Sequence, residues 1–181
     1  MFKKMKGFTL IELLIVIAII GILAALLIPN ALTAIQKAKQ KGSMKDVTTI
    51  ATAMMDYVTD HGVAATADGV VTEGAGVHLL LSPFYVKAMP SNDQWGNAFY
   101  VYGGTAACNG SPYGVAGAGT DDFIVASNGR NGDADDIYVE ATPGLTQYTV
   151  STMADFDRDL VNWSGSWIIG PTTRAGGTTT T

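Results

Sequence analysis

Two groups of residues in this 181-residue chain could do chemistry. The first centres on Glu12. It is the only ionisable side chain between residues 8 and 28, in a run that is apolar apart from Thr9, Glu12 and Gly21. A carboxylate inside hydrocarbon costs at least ~2.5 kcal/mol, so it needs a cation or an interface. No Lys, Arg or His lies in the run. A cut between Gly7 and Phe8 would free an amine on Phe8. That amine could neutralise Glu12 of its own chain or of a neighbour. The bland alternative places Glu12 close enough to the membrane surface to reach headgroups.

The second group is Ser127, Asn131, Asp133, Asp135 and Asp136, five oxygen-bearing side chains within ten residues, with Gly129 and Gly132 between them. Calcium takes six to eight oxygens at ~2.4 Å, so this is a candidate calcium loop. It lacks EF-hand spacing. The same composition also describes an acidic surface loop held by side-chain-to-backbone bonds. Elsewhere no reactive constellation occurs. His61 and His78 have no metal-binding spacing, and no nucleophile elbow, phosphate loop or dinucleotide fingerprint is present. No catalytic residue is expected, and the chain reads as a non-enzyme. Cys108 is the sole cysteine, which excludes an intramolecular disulfide, and it reads as a small loop residue.

The elements that position these groups follow from hydropathy and charge. Residues 8–28 would span roughly 31 Å as a helix, enough to cross a hydrocarbon core. Lys3, Lys4 and Lys6 precede the run and favour a cytoplasmic N-terminus. A secretory signal would be shorter and end at a small-residue cleavage site. Beyond the run, Ala31, Ile35, Ala38, Val47, Ile50, Ala51, Met54 and Val58 recur at three- and four-residue steps. One helix over about 9–60 is predicted, stopping at His61-Gly62, with unwinding or a kink near 21–29 because Pro29 removes a hydrogen bond. The apolar half has no cover within its own chain. Lipid or other copies must cover it, and copies related by a non-closing operation make a helical filament.

Five basic and fifteen acidic residues follow Gly42, a charge near −10 that disfavours nucleic acid as a partner. Short apolar runs between turns predict strands at 98–102, 122–126 and 137–140, and a helix or strand at 77–81. Residues 103–119 read as a Gly/Ala-rich loop, and 153–161 as a short helix. Trp163 and Trp167 read as packing residues, and 176–181 as disordered. The fold class is α+β: a long N-terminal helix packed on a small antiparallel sheet. The divisions are 1–7 leader, 8–29 membrane helix, 30–61 amphipathic helix, 62–140 head with its acidic loop, and 141–181 C-terminal extension.

Lys6-Gly7-Phe8-Thr9-Leu10-Ile11-Glu12-Leu13 resembles the cleavage signal of type IV pilins and of the pseudopilins of type II secretion. The resemblance implies that a prepilin peptidase cuts between Gly7 and Phe8 and N-methylates Phe8. It also implies that Phe8, Glu12 and Pro29 serve assembly, with Pro29 matching the family's helix-interrupting proline. Asn92-Asp93-Gln94-Trp95-Gly96-Asn97-Ala98-Phe99 resembles the major pseudopilins' "DPWGNPY" segment, with Gln94 and Ala98 replacing prolines. Residues 123–137 resemble their calcium loop, with Asn131 where the family has aspartate. The resemblance further implies partners: further copies of itself, the peptidase, an inner-membrane assembly platform and minor pseudopilins. It implies a single-pass inner-membrane protein with a periplasmic head that is periplasmic or extracellular once polymerised. The expected function is the major pseudopilin of a type II secretion system. The alternative is a type IV pilin of a surface fibre for adhesion, motility or DNA uptake.

Overall fold

The computed structural model describes residues 8–136 and 147–172. It divides into two compact units, 1–37 and 38–181. The predicted strand at 137–140, the leader and the tail lie outside the described residues.

Helix α1 covers Leu10–His61, 52 residues. It runs through Gly21 and Pro29 without a break, so the expected unwinding at 21–29 is absent. The Asn30 amide donates to Leu26 O (3.3 Å), and the Thr33 hydroxyl donates to Pro29 O (3.1 Å). These side-chain bonds satisfy carbonyls in the turns beside the proline. The helix ends as predicted, with Gly62 at φ +72° and its N–H bonded to Val58 O.

Within the second unit, six strands form one sheet in the order β1-β2-β3-β5-β6-β4. They are β1 (Ala67–Val70), β2 (Tyr100–Gly103), β3 (Phe123–Ser127), β4 (Gln147–Tyr148), β5 (Leu160–Trp163) and β6 (Ser166–Pro171). All pairings are antiparallel except β4 with β6. Two short helices, α2 (Val77–Leu81) and α3 (Thr105–Asn109), and a 3₁₀ turn at Ala154–Phe156 complete the described elements.

Strand β3 is buried at every position because the sheet is covered on both faces. Phe123 and Val125 join Val101 against Val47, Ile50, Ala51, Ala53 and Met54 of α1. Ile124 and Ala126 join Tyr102, Val161 and Ile169 in a second core closed by Cys108, Tyr113 and Val115. Alternate residues point to opposite faces, so both sets must be apolar. The expected loop over 103–119 therefore contains α3 and roofs the second core. The predicted helix at 153–161 is also corrected: only one 3₁₀ turn forms, and the chain then enters β5, which pairs with central strand β3. Residues 147–172 are thus three strands of the head's own sheet. Trp163 and Trp167 pack half-buried against the second and first cores respectively.

Gly42 has a packing purpose. A Cβ there would lie 2.7 Å from the Gln94 side chain. The glycine lets the 92–99 turn dock on α1, where the Gln94 N–H donates to Ser43 Oγ (3.1 Å) and its amide to Asp46 (2.9 Å).

Candidate functional site

Among the described residues, the first unit presents an exposed apolar surface. The large apolar residues from Leu10 to Ile28 are 48–82% exposed, on every side of the helix. By length and composition α1 can cross a membrane. At its start, Glu12 and Thr9 form a reciprocal capping pair. Glu12 Oε2 accepts the Thr9 N–H (2.8 Å) and the Thr9 hydroxyl (2.7 Å), while the Glu12 N–H donates to Thr9 Oγ1 (3.3 Å). This is capping-box geometry, which satisfies otherwise unpaired donors at a helix start. The Thr9-x-x-Glu12 spacing is the local signal for this bond, which stands beside the cation or headgroup partner expected of Glu12. Phe8 precedes the cap and is 81% exposed; Gly7 lies outside the described residues. Pro29 sits inside the continuous helix.

In the head, the two segments singled out by motif meet. Asp93 is a buried hub: Oδ1 accepts the N–H groups of Trp95 and Asn97 (both 2.9 Å), and Oδ2 accepts the Ser127 hydroxyl (2.8 Å). The Asn97 amide reaches on to Gly129 O (2.8 Å). Ser127 is therefore buried on β3 and already committed. Asn131 donates to Asp135 Oδ2 (2.6 Å), and its own Oδ1 accepts the Asp133 N–H (3.3 Å). Both Asp136 oxygens are engaged by Arg158, through Nη2 at 2.9 Å and Nε at 3.2 Å, and Oδ2 also accepts the Asp159 N–H (3.0 Å).

A calcium site needs its oxygens to converge with free lone pairs. Here Ser127 faces Asp93, and Asp136 faces a guanidinium. Among the described residues no three Asp, Glu, His or Cys side chains are grouped to hold a metal. Of the five residues, Ser127 and Asp136 have their side-chain oxygens committed to other partners in this arrangement.

Sequence reasoning missed Asp159, Arg158, Arg130 and Asp157. Asp159 is fully buried. Its Oδ2 accepts the N–H groups of Asp135 (3.0 Å) and Asp136 (2.8 Å), while Oδ1 has no hydrogen-bond partner. Burial pushes this carboxyl up to about 7, and the charges of Asp136 and Asp135 push the same way. Arg130 binds Asp157 through two bonds of 2.7 and 2.8 Å. No local spacing signals these pairs, whose members lie 22 to 27 residues apart.

His61 stacks on Tyr57 with ring centres 4.0 Å apart. Cys108 is buried with its thiol toward Tyr102 O and Asp122 O, and burial pushes that thiol up to about 11.

Comparison with known proteins agrees with the exposed helix and its start. The model of the prokaryotic N-terminal methylation motif matches residues 2–28. The type II secretion system core protein G of Escherichia coli is 32% identical over 105 residues, 54% of this chain and 72% of the relative. That of Vibrio cholerae is 33% identical over 103 residues, 54% of this chain and 70% of the relative. The type IV wide pilus major component PilA4 of Thermus thermophilus is 72% identical over 36 residues, 20% of this chain and 28% of the relative. No solved structure matches. A methylation motif before an uncovered apolar helix, in a chain about one-third identical to these secretion proteins over some 105 residues, marks a structural subunit and not an enzyme, and the chain belongs to the type II secretion core protein G family, the pseudopilins.

Proposed function

We propose that this chain is the major subunit of a type II secretion pseudopilus, held in the inner membrane and withdrawn into a filament. The observation that carries the reading is the apolar half of α1, exposed on all sides beneath a capped Glu12. In the bilayer, lipid covers that surface. In the filament, other copies must, because identical subunits related by rotation and translation pack helix on helix without closing. Ala18, Gly21, Ala24 and Ala25 allow close approach there.

In this reading a prepilin peptidase cleaves between Gly7 and Phe8 and methylates the new amine. Phe8 and Glu12 then meet across or within subunits. The basic residues Lys3, Lys4 and Lys6 hold the N-terminus on the cytoplasmic side, and the acidic head stands in the periplasm. An inner-membrane platform and minor pseudopilins complete the partner set.

The test is the proteome of the culture supernatant from a deletion strain beside its parent. Loss of a set of secreted proteins is expected, restored by the intact gene and not by Gly7→Arg or Glu12→Ala. An unchanged secreted set would sink the secretion assignment. The second reading, a surface type IV pilin, is favoured by the 72% identity to the wide-pilus component over 36 residues. Against it, the similarity to core protein G extends over 54% of the chain.

A further inference from the structure

We propose that the head carries its own cation, the Arg158 guanidinium, in the place where an acidic loop of this kind would recruit a divalent ion, and that its folding is therefore indifferent to calcium. The reading concerns the head alone and stands whether the filament is a secretion pseudopilus or a surface fibre.

Four observations converge on it. First, Arg158 takes both oxygens of Asp136, in the planar two-pronged geometry that suits guanidinium and carboxylate. Second, the loop and the segment after the 3₁₀ turn are laced in both directions. Arg130 of the loop binds Asp157, and Arg158 binds Asp136 of the loop. The backbone follows the same pattern: Asp135 and Asp136 donate to Asp159, Asp159 donates back to Asp136, and the Arg130 N–H donates to Phe156 O (2.8 Å). Third, Gly129 sits at φ +63° where a Cβ would come within 2.6 Å of the Asp157 and Arg158 carbonyls, so the two strands of the lacing touch at the backbone. Fourth, the guanidinium is anchored from behind. It lies 4.2 Å from the centre of the Tyr148 ring, and the Tyr148 hydroxyl accepts from Gln40 of α1 (3.2 Å).

A divalent ion entering this loop would have to displace Arg158 from Asp136 and bear its charge at short range. Asp136 is already neutralised by Arg158, and Asp159 Oδ2 is turned to the Asp135 and Asp136 N–H groups. Asn131 fits the same account. An amide at that position donates to Asp135, a bond an aspartate could not make without a proton.

The experiment uses the full chain in detergent micelles, melted by tryptophan fluorescence with a chelator or with millimolar calcium chloride. The wild-type Tm is expected to differ by less than ~1 °C between the two, because an ion that does not bind the folded state does not stabilise it. Arg158→Gln is expected to melt about 4 °C lower in chelator. It should regain part of that loss in calcium, since Asp135, Asp136 and Asp159 are left with no cation. A wild-type Tm that rises by more than ~2 °C in calcium overturns the proposal, as does an Arg158→Gln chain that melts like wild type. Should Arg158→Gln fail to fold, calorimetric titration of the wild type with calcium decides. Absence of binding heat supports the proposal, and saturable binding overturns it.

Discussion

Residues 10–28 and 38–61 share one helix and have opposite surfaces. Leu13, Ile17 and Ile20 are 59–61% exposed, while Val47, Ile50 and Met54 are fully buried. The first segment is apolar all round, as a helix must be when hydrocarbon or other helices surround it. The second carries one stripe, Ser43, Val47, Ile50, Ala51 and Met54, at steps of three and four, and that stripe meets the sheet. Apolar content alone thus does not mark a core. The width of the apolar face tells which part of the helix is finished within the chain and which part awaits a partner.

The largest expected effect breaks the unfinished half. Glu12→Ala removes the carboxylate at the start of α1. Filaments should fall below detection in sheared fractions viewed by electron microscopy, while the melting of the head stays unchanged. Next comes a matched pair of truncations in the two halves. Ile50→Ala leaves a void in the closed core and should cost about 2–5 kcal/mol, whereas Ile17→Ala should change head stability by less than ~0.5 kcal/mol. Denaturant melts of both variants in micelles check this. Equal losses would mean that the two segments do not differ as described.

A smaller effect probes the lacing of the head. Gly129→Ala places a Cβ against two carbonyls at a positive φ, and a loss of about 2–3 kcal/mol is expected by the same melts. The smallest concerns Cys108. Its thiol is buried and pushed up to about 11, so iodoacetamide at pH 8 should label it only after unfolding. Rapid labelling of the folded chain would show that the second core opens readily.

What was legible in the sequence had a local signature. Glu12 stood out because a single charge in an apolar run is rare and costly. The helix end at Gly62 and the positions of β2 and β3 were also readable, the strands to within two residues. What was hidden depends on contacts distant in sequence. Residues 153–161 look helical in isolation, yet β3 recruits Leu160 and Val161 as a strand, because tertiary pairing outweighs weak local preference. Helix α3 is five residues between glycines and exists because Cys108 closes a core. The pairing of Arg158 with Asp136 of the acidic loop gave no local signal, because 22 residues separate them.

Residues 10–28 form an exposed apolar surface that copies of the same chain cover in the proposed filament. The most direct measurement places a photo-crosslinking amino acid at Ile17 and, separately, at exposed Thr49 of the head's half of α1, in cells that carry the whole secretion apparatus. A ladder of covalent multimers from position 17 is expected on irradiation, lost when Glu12→Ala is added and weaker or absent from position 49. Monomer alone from position 17, in cells where the protein is processed and secretion is active, would contradict it.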